Sequence, residues 1–189
     1  MKLLTIILSV LTSFLANLET KTLHSSFNVT VAEEVNAPMN YPGELTMCGR
    51  QFLLKMFNLD AAYDGQTMYM YSAETDELTL TNPTEQELLE TNPFLYAQAL
   101  VPVCNVTERA VTGNPSPVTL ITLTPKDQSI GINRFVLKVR TADLMPLSVE
   151  IKEGKKTSTL QMKDPEFITD KPNYTITPDK NTFVNDMRL

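Results

Sequence analysis

Apolar and polar residues alternate with a period of two along most of this chain, which is typical of half-buried β-strands. The alternation is clearest in residues 27–32 and 134–140. Asp64-Gly65 lies between two such runs and predicts a two-residue hairpin turn, because both residues tolerate a positive φ. Strands are predicted at residues 27–32, 51–56, 59–63, 67–72, 77–81, 118–124, 134–140, 147–152 and 156–162.

The middle of the chain interrupts this pattern with helix signals. Thr84 and Glu87 have the spacing of a capping box, which predicts a short helix from residue 84. Asn92-Pro93 predicts a second helix start, with asparagine as the cap and proline in the first turn. We therefore expect one or two short helices between two groups of strands.

The pattern predicts nine to eleven strands and few helical residues. A long antiparallel sheet with one apolar face must curl or be covered by other elements. The predicted fold class is mostly β (α+β), a strongly curved antiparallel sheet or incomplete β-barrel with a short helical lid.

The first sixteen residues have the features of a signal peptide. Lys2 is the basic start, residues 3–15 are largely apolar, and Ala16 is a small residue at which cleavage could occur. The apolar run is shorter than the roughly 20 residues that span a bilayer. We expect export, with residues 1–16 removed and residues 17–189 forming one soluble domain; a buried helix is the alternative.

Charge and cysteine content narrow the possible functions. The formal net charge is −6, so nucleic acid and anionic membrane surfaces are poor partners. Cys48 and Cys104 could form a disulfide in an oxidising compartment or remain two buried thiols, and the sequence leaves both open. No cysteine follows the apolar run directly, so we expect no lipid anchor.

Catalytic chemistry is sparse. His24 is the single histidine, and no motif places an aspartate to orient it. One histidine and two distant cysteines cannot make a closed zinc site, and no glycine-rich phosphate loop is present. The sequence therefore predicts a protein that is not an enzyme and has no metal or other cofactor.

Several segments, taken in order, carry a family resemblance. The most specific is Asp64-Gly65 followed by a strand with Tyr69 and Tyr71; others lie at residues 23–29, 43–47, 52–56, 135–152, 174–176 and 186–189. Together they resemble the LolA-like outer-membrane lipoprotein carrier family, in a divergent form. The resemblance implies an incomplete β-barrel with a helical lid, whose hydrophobic cavity holds the acyl chains of lipoproteins in the periplasm.

The resemblance also implies where ligand contacts lie. Arg50 is the candidate for the family's arginine that contacts the lid. The long helix that usually precedes the first strand would have only residues 17–22 here, so part of the lid would be missing. Met68 and Met70 are flexible side chains suited to a variable apolar ligand. The expected cavity residues are Phe52, Leu54, Met56, Met68, Met70, Phe94, Leu95, Leu100, Phe135, Leu137, Val139, Leu147, Val149 and Ile151.

The expected function is that of a periplasmic carrier, monomeric, that binds acylated lipoproteins or related lipids. It would receive its cargo from an inner-membrane donor complex and pass it to an outer-membrane acceptor. One alternative is a lipid-sensing or interaction module on the same fold, without transport. Another is a secreted β-sandwich adhesin, whose two sheets would leave no cavity.

Overall fold

A computed structural model describes residues 9–34, 36–112 and 116–188. Residues 1–8 of the predicted signal peptide lie outside the described residues. Three α-helices are present in these ranges: α1 (Val10–Thr20), α2 (Glu85–Thr91) and α3 (Pro93–Leu100). The strands are β1 (Thr22–Glu33), β2 (Met39–Cys48), β3 (Gln51–Met56), β4 (Leu59–Tyr63), β5 (Met68–Ser72), β6 (Glu77–Thr81), β7 (Cys104–Val111), β8 (Val118–Pro125), β9 (Arg134–Arg140), β10 (Met145–Glu153), β11 (Lys156–Ile168) and β12 (Phe183–Asp186).

All twelve described strands belong to one sheet. Their order is β12-β6-β5-β4-β3-β2-β1-β11-β10-β9-β8-β7, so β12 and β7 are its two edges and are not paired with each other. Neighbours are antiparallel except β12, which runs parallel to β6. The predicted fold class, a curved sheet or incomplete barrel with a few helices, is confirmed. The two-sheet sandwich is excluded, because these strands form a single sheet.

Three strands lie outside the alternating pattern. β2 contains Pro42-Gly43, β7 is exposed along most of its length, and β12 is a short edge strand. Strands that are polar on both faces or broken by proline and glycine give no period-two signal. Together with the nine strands predicted by range, these three bring the described residues to twelve strands. The sequence pattern predicted at most eleven.

The Asp64-Gly65 hairpin is confirmed, and its turn is centred one residue later than predicted, on Gly65-Gln66, because the Asp64 N–H donates to the Thr67 carbonyl at 3.3 Å. β4 ends at Tyr63 and β5 begins at Met68, which leaves a four-residue connection. The Asp64 carboxylate accepts hydrogen bonds from the backbone N–H groups of Gln66 and Thr67, both at 2.8 Å. An aspartate that binds the backbone two and three residues ahead favours this turn.

Helix α1 packs against the concave side of the sheet. Leu11, Phe14 and Leu18 are buried, with Phe14 and Leu18 fully so. The Ser9 hydroxyl caps the helix by accepting from the Thr12 N–H. Glu108 of β7 accepts from the N–H groups of Val10 and Leu11 at 3.1 and 2.9 Å. A carboxylate at a helix N-terminus satisfies otherwise unpaired donors and complements the helix dipole.

The position of α1 bears on the N-terminal prediction. The helix begins at Val10, inside the segment predicted as a signal peptide, and continues to Thr20. The gap expected where the family's first helix would stand is therefore not observed. A signal peptide over residues 1–16 and a domain boundary at residue 17 stay predictions. If cleavage follows Ala16, Leu11 and Phe14 leave the core.

Two further observations concern the described part of the chain. Cys48 and Cys104 are both free thiols, and Cys104 is buried. None of the described helices is long and apolar enough to cross a membrane.

We expect Phe14→Ala to lower the free energy of unfolding of the full chain by about 3–5 kcal/mol, because it removes a fully buried ring. Phe57→Ala is the matched control, since Phe57 is 83% exposed, and it should change stability by less than about 0.5 kcal/mol. Chemical denaturation measures both. Equal effects of the two substitutions would show that α1 is not packed in the core.

We further expect a chain that begins at residue 17 to be less stable than the full chain. It keeps Leu18 but lacks Leu11 and Phe14, together with the Ser9 cap. Guanidinium unfolding of the two chains under the same conditions makes the comparison. A truncated chain as stable as the full one would argue that residues 9–16 contribute nothing to the fold.

Candidate functional site

Helices α2 and α3 lie over the concave face and form the lid of the site. The predicted capping box is present, with Thr84 and Glu87 each binding the other's backbone N–H. Asn92 separates the helices and accepts from the N–H groups of Phe94 and Leu95 at 3.0 and 3.5 Å. Its side-chain amide also donates to the sulfur of Met47 in β2, at 3.7 Å. This buried asparagine therefore holds the junction of the two helices against the sheet.

One part of the concave face is filled. The rings of Phe14 and Phe94 pack with centroids 5.7 Å apart, which joins α1 to α3. Tyr96 meets Phe135 edge-to-face at 6.3 Å, which joins α3 to β9. These contacts are typical of close-packed protein interiors and leave little room for a ligand.

Another part of the concave face is a cavity of about 310 Å³ between the sheet and the start of α3. Its volume is at the lower limit of ordinary small-molecule sites. Eleven of its fourteen lining residues are apolar or aromatic. The lining consists of Phe27, Val29, Val31, Tyr41, Leu45, Leu54, Met56, Glu90, Thr91, Pro93, Val149, Ile151, Ser158 and Leu160.

A second space of about 650 Å³, the vestibule, adjoins the cavity. The two spaces share Glu90, Pro93, Ile151 and Ser158 in their walls. The vestibule is much more polar than the cavity, since charged side chains of α2 and of the β10–β11 hairpin line it. Its lining is Gln86, Leu89, Glu90, Pro93, Tyr96, Ile130, Ile151, Glu153, Lys156 and Ser158.

Tyr96 marks the inner wall of the vestibule. Burial raises the pKa of its hydroxyl, and the nearby carboxylates of Glu153 and Glu90 raise it further. The tyrosine ring is half-buried against Phe135, whereas both carboxylates are exposed. The vestibule thus has an apolar inner wall at Tyr96 and charged side chains at its outer, exposed end.

The expected cavity residues fall into three groups in the structure. Leu54, Met56, Val149 and Ile151 line the cavity. Met70 and Leu147 lie outside both the cavity lining and the core. The remaining eight are buried in the filled core instead of on the cavity wall: Phe52, Met68, Phe94, Leu95, Leu100, Phe135, Leu137 and Val139.

Local geometry explains the two residues outside the site. The pairing of β10 with β9 has an irregularity between Pro146 and Ser148, so Leu147 is an extra residue that breaks the alternation. Met70 lies one pleat beyond the buried Met68 on β5 and is 41% exposed, because the core does not extend that far along the strand.

Sequence reasoning missed several residues of the cavity wall. Phe27, Val29 and Val31 of β1 line it, and their alternation is plain in the sequence. Tyr41 and Leu45 of β2 line it as well. The sequence of β2 shows no clear alternation of apolar and polar residues, so these two were not identified. Which inward side chains face empty space depends on where α1 and α3 pack, and a strand pattern does not contain that information.

Arg50 contacts the lid. It lies in the turn between β2 and β3 and forms two hydrogen bonds to Glu85, the first residue of α2, at 3.1 and 2.5 Å. These bonds lower the pKa of the Glu85 carboxyl and raise that of Arg50. Both side chains are largely exposed, so the pair contributes little to stability.

Two of the polar groups at and near the cavity are paired with other side chains. Glu90 accepts from the Gln86 amide at 2.9 Å. His24, the single histidine, is paired with the Thr46 hydroxyl at 2.9 Å on β1 and β2, and it lines neither the cavity nor the vestibule. The arrangement suits the burial of an apolar chain beside a polar mouth.

The sequence matches no family model and no curated protein sequence. Solved structures do match. An uncharacterized conserved protein from Thermus thermophilus matches with 8% identity and a TM-score of 0.64, over 93% of this chain and 96% of that one. The MucA/MucB complex of Pseudomonas aeruginosa matches with 14% identity and a TM-score of 0.50, over 86% of this chain and 57% of that one.

A LolA superfamily protein, NE2245 from Nitrosomonas europaea, is also among the matches. It has 10% identity and a TM-score of 0.42, over 89% of this chain and 99% of that one. At these identities the matches concern the fold alone. A curved sheet with a few helices is thus a fold that this chain shares with solved structures, and the resemblance to the LolA-like family stands as a likeness of fold.

We expect a double-mutant cycle of Arg50→Gln and Glu85→Gln to give a coupling of about 0.2–1 kcal/mol at pH 7. The pKa of Glu85 is lowered in the folded state, so its contribution is present above the usual carboxyl value of 4.5 and lost as the pH falls through the lowered value. Denaturation at pH 7 and at about pH 2.5 measures this. A coupling that is absent at neutral pH, or unchanged in acid, would contradict the contact.

Proposed function

We propose that this chain is a periplasmic carrier that binds the acyl chains of lipoproteins or related lipids in its cavity, without catalysing a reaction. The observation that carries this proposal is the apolar cavity beneath α2 and α3, with its wall of eleven apolar or aromatic residues. The more polar vestibule beside it is suited to the polar head group of such a cargo.

Energetics supports a carrier of this design. An acyl chain is held in a membrane by about 0.8 kcal/mol per buried methylene. A protein can take the chain through water only if it offers comparable apolar burial. The walls formed by Val29, Leu54 and Val149 provide that burial, and Met56 adds a side chain that adapts to different ligands.

Release is as necessary as binding, and the lid contacts favour it. Arg50 and Glu85 are 46% and 61% exposed, and such ion pairs are typically worth less than about 1 kcal/mol. This ion pair therefore adds little to the cost of moving α2, whose main attachment is the buried Leu88. We propose that the cargo comes from an inner-membrane donor complex and passes to an outer-membrane acceptor.

Export is part of the proposal and rests on the N-terminal segment. The mass of the exported protein fixes the cleavage site. A mass that corresponds to a chain beginning at residue 17 fits the predicted boundary. A mass that corresponds to a chain with residues 9–16 still present fits a mature domain that includes α1.

A binding module that regulates a protein partner is the second candidate. The edge strand β12 favours it, because Phe183, Val184 and the following Met187 are 64%, 43% and 57% exposed. Apolar side chains on a free sheet edge can receive a strand from another protein. MucB, whose solved structure with MucA shares this fold, is a protein bound to a protein partner.

We expect acylated protein or lipid to co-purify with this protein from its native envelope under gentle conditions, and mass spectrometry would detect it. Leu54→Asn should weaken binding of a fluorescent acyl probe about tenfold, since it places an unpaired amide in the apolar wall. Val106→Asn, on the exposed strand β7, is the matched control and should bind as the unmodified protein does.

Transfer of an acylated peptide between two vesicle populations separates the two candidates. A carrier speeds the transfer, and a regulatory module binds the peptide without delivering it. The absence of any acylated cargo, combined with equal probe binding by both variants, would count against a carrier.

A further inference from the structure

The size of the cavity limits what it can hold. An apolar protein cavity of about 150 Å³ binds one benzene molecule, which corresponds to about 25 Å³ per carbon. A cavity of about 310 Å³ therefore accommodates roughly ten methylene groups. Two or three chains of ordinary membrane length would need on the order of 900–1,400 Å³ by the same measure.

Packed side chains close the inner end of the cavity. Leu45 lines it, but Met47, two residues further along β2, is only 1% exposed and belongs to the core. Pro93 lines it, and the adjacent Phe94 and Leu95 of α3 are fully buried in the core, with Phe14 against Phe94 in the full chain. A longer chain would have to displace these side chains, and overpacking a close-packed core costs about 1–3 kcal/mol.

The outer end of the cavity leads into the vestibule, where the charges are unequal. Lys156 lies opposite Glu153 in the β10–β11 register, so these two partly balance each other. Glu90 has a neutral partner, the Gln86 amide. The vestibule therefore carries an excess negative charge beside the shared wall of the two spaces, in a chain whose net charge is −6.

From this geometry we infer that the cavity takes a single acyl chain of about ten buried methylenes, with a head group that contains an ammonium and lies in the vestibule. The inference rests on the proposed function and makes it more specific. An anionic head would meet two carboxylates, those of Glu90 and Glu153, against the one ammonium of Lys156, whereas a zwitterionic or cationic head places its ammonium beside the carboxylates. The cargo is therefore a single-chain amphiphile, because a second chain would remain in water without the apolar burial that transport requires.

A chain-length series tests the capacity. Alkylphosphocholines with tails of eight to sixteen carbons are titrated against the full chain below their micelle concentrations, with calorimetry as the readout. Affinity should rise about fourfold per methylene, which is the equivalent of about 0.8 kcal/mol, and level off near ten to twelve carbons.

Variants locate the effect in the cavity. Val29→Phe reduces the cavity volume. The affinity of this variant should therefore stop rising at a tail about two methylenes shorter than in the unmodified protein. Val106→Phe adds the same ring on the exposed strand β7 and should leave the plateau unchanged. Circular dichroism of both variants checks that they are folded.

The head group is tested separately, with a tail of fixed length. Dodecyltrimethylammonium should bind about fivefold more tightly than dodecanoate at low salt, and the difference should shrink at high salt. Glu90→Gln should reduce this difference. Glu74→Gln, in the exposed turn between β5 and β6, is the control and should leave it unchanged.

The outcomes separate this inference from the proposed function. Affinity that keeps rising to sixteen carbons, or a plateau that Val29→Phe does not move, would overturn the single-chain capacity and leave a carrier intact. Tighter binding of dodecanoate would overturn the head-group assignment. No binding of any amphiphile would overturn both the inference and the carrier.

Discussion

A curved sheet of twelve strands can bury its concave face only if other parts of the chain cover it. In the described residues, three short α-helices are available for this. The helices do not cover the face evenly. α1 and α3 meet through Phe14 and Phe94 and fill one region to ordinary packing density. The junction of α2 and α3 covers another region without filling it. The cavity is the part of the concave face that this coverage leaves empty.

Helix α2 is attached to the rest of the fold in more than one place. Asn92 fixes the junction of the lid helices by capping α3 and by its contact with Met47. The far end of α2 is held by an exposed ion pair between Arg50 and Glu85. Between these two points, Leu88 of α2 is buried in the core and attaches the apolar face of the helix to the rest of the fold.

Most of the sheet could be predicted from the sequence, because its strands carry one apolar and one polar face. β7 could not, since its side chains are exposed along most of the strand. Residues 10–16 belong both to the predicted signal peptide and to α1, because a largely apolar run after a basic start suits export and also suits a helix buried at Phe14. Periodicity alone does not separate these two interpretations.

The site was less predictable than the fold. Leu54 and Phe52 are both apolar residues of β3, yet Leu54 faces empty space and Phe52 lies in the core beside Tyr63. The difference arises from helices packed across the sheet, far away in sequence. The family resemblance made Arg50 a candidate for a lid contact, whereas its partner Glu85, which is 35 residues away, gave no signal in the sequence.

The central claim is that an acyl chain enters this cavity and leaves the packed core undisturbed. The most direct measurement is a set of intermolecular nuclear Overhauser effects between the methylenes of bound dodecylphosphocholine and methyl groups of the labelled protein. We expect contacts to the cavity residues Val29, Leu54 and Val149 and none to Val184 on the exposed edge strand. Contacts to Val184 with none to Val29 or Leu54 would place the ligand on the sheet edge and contradict the claim.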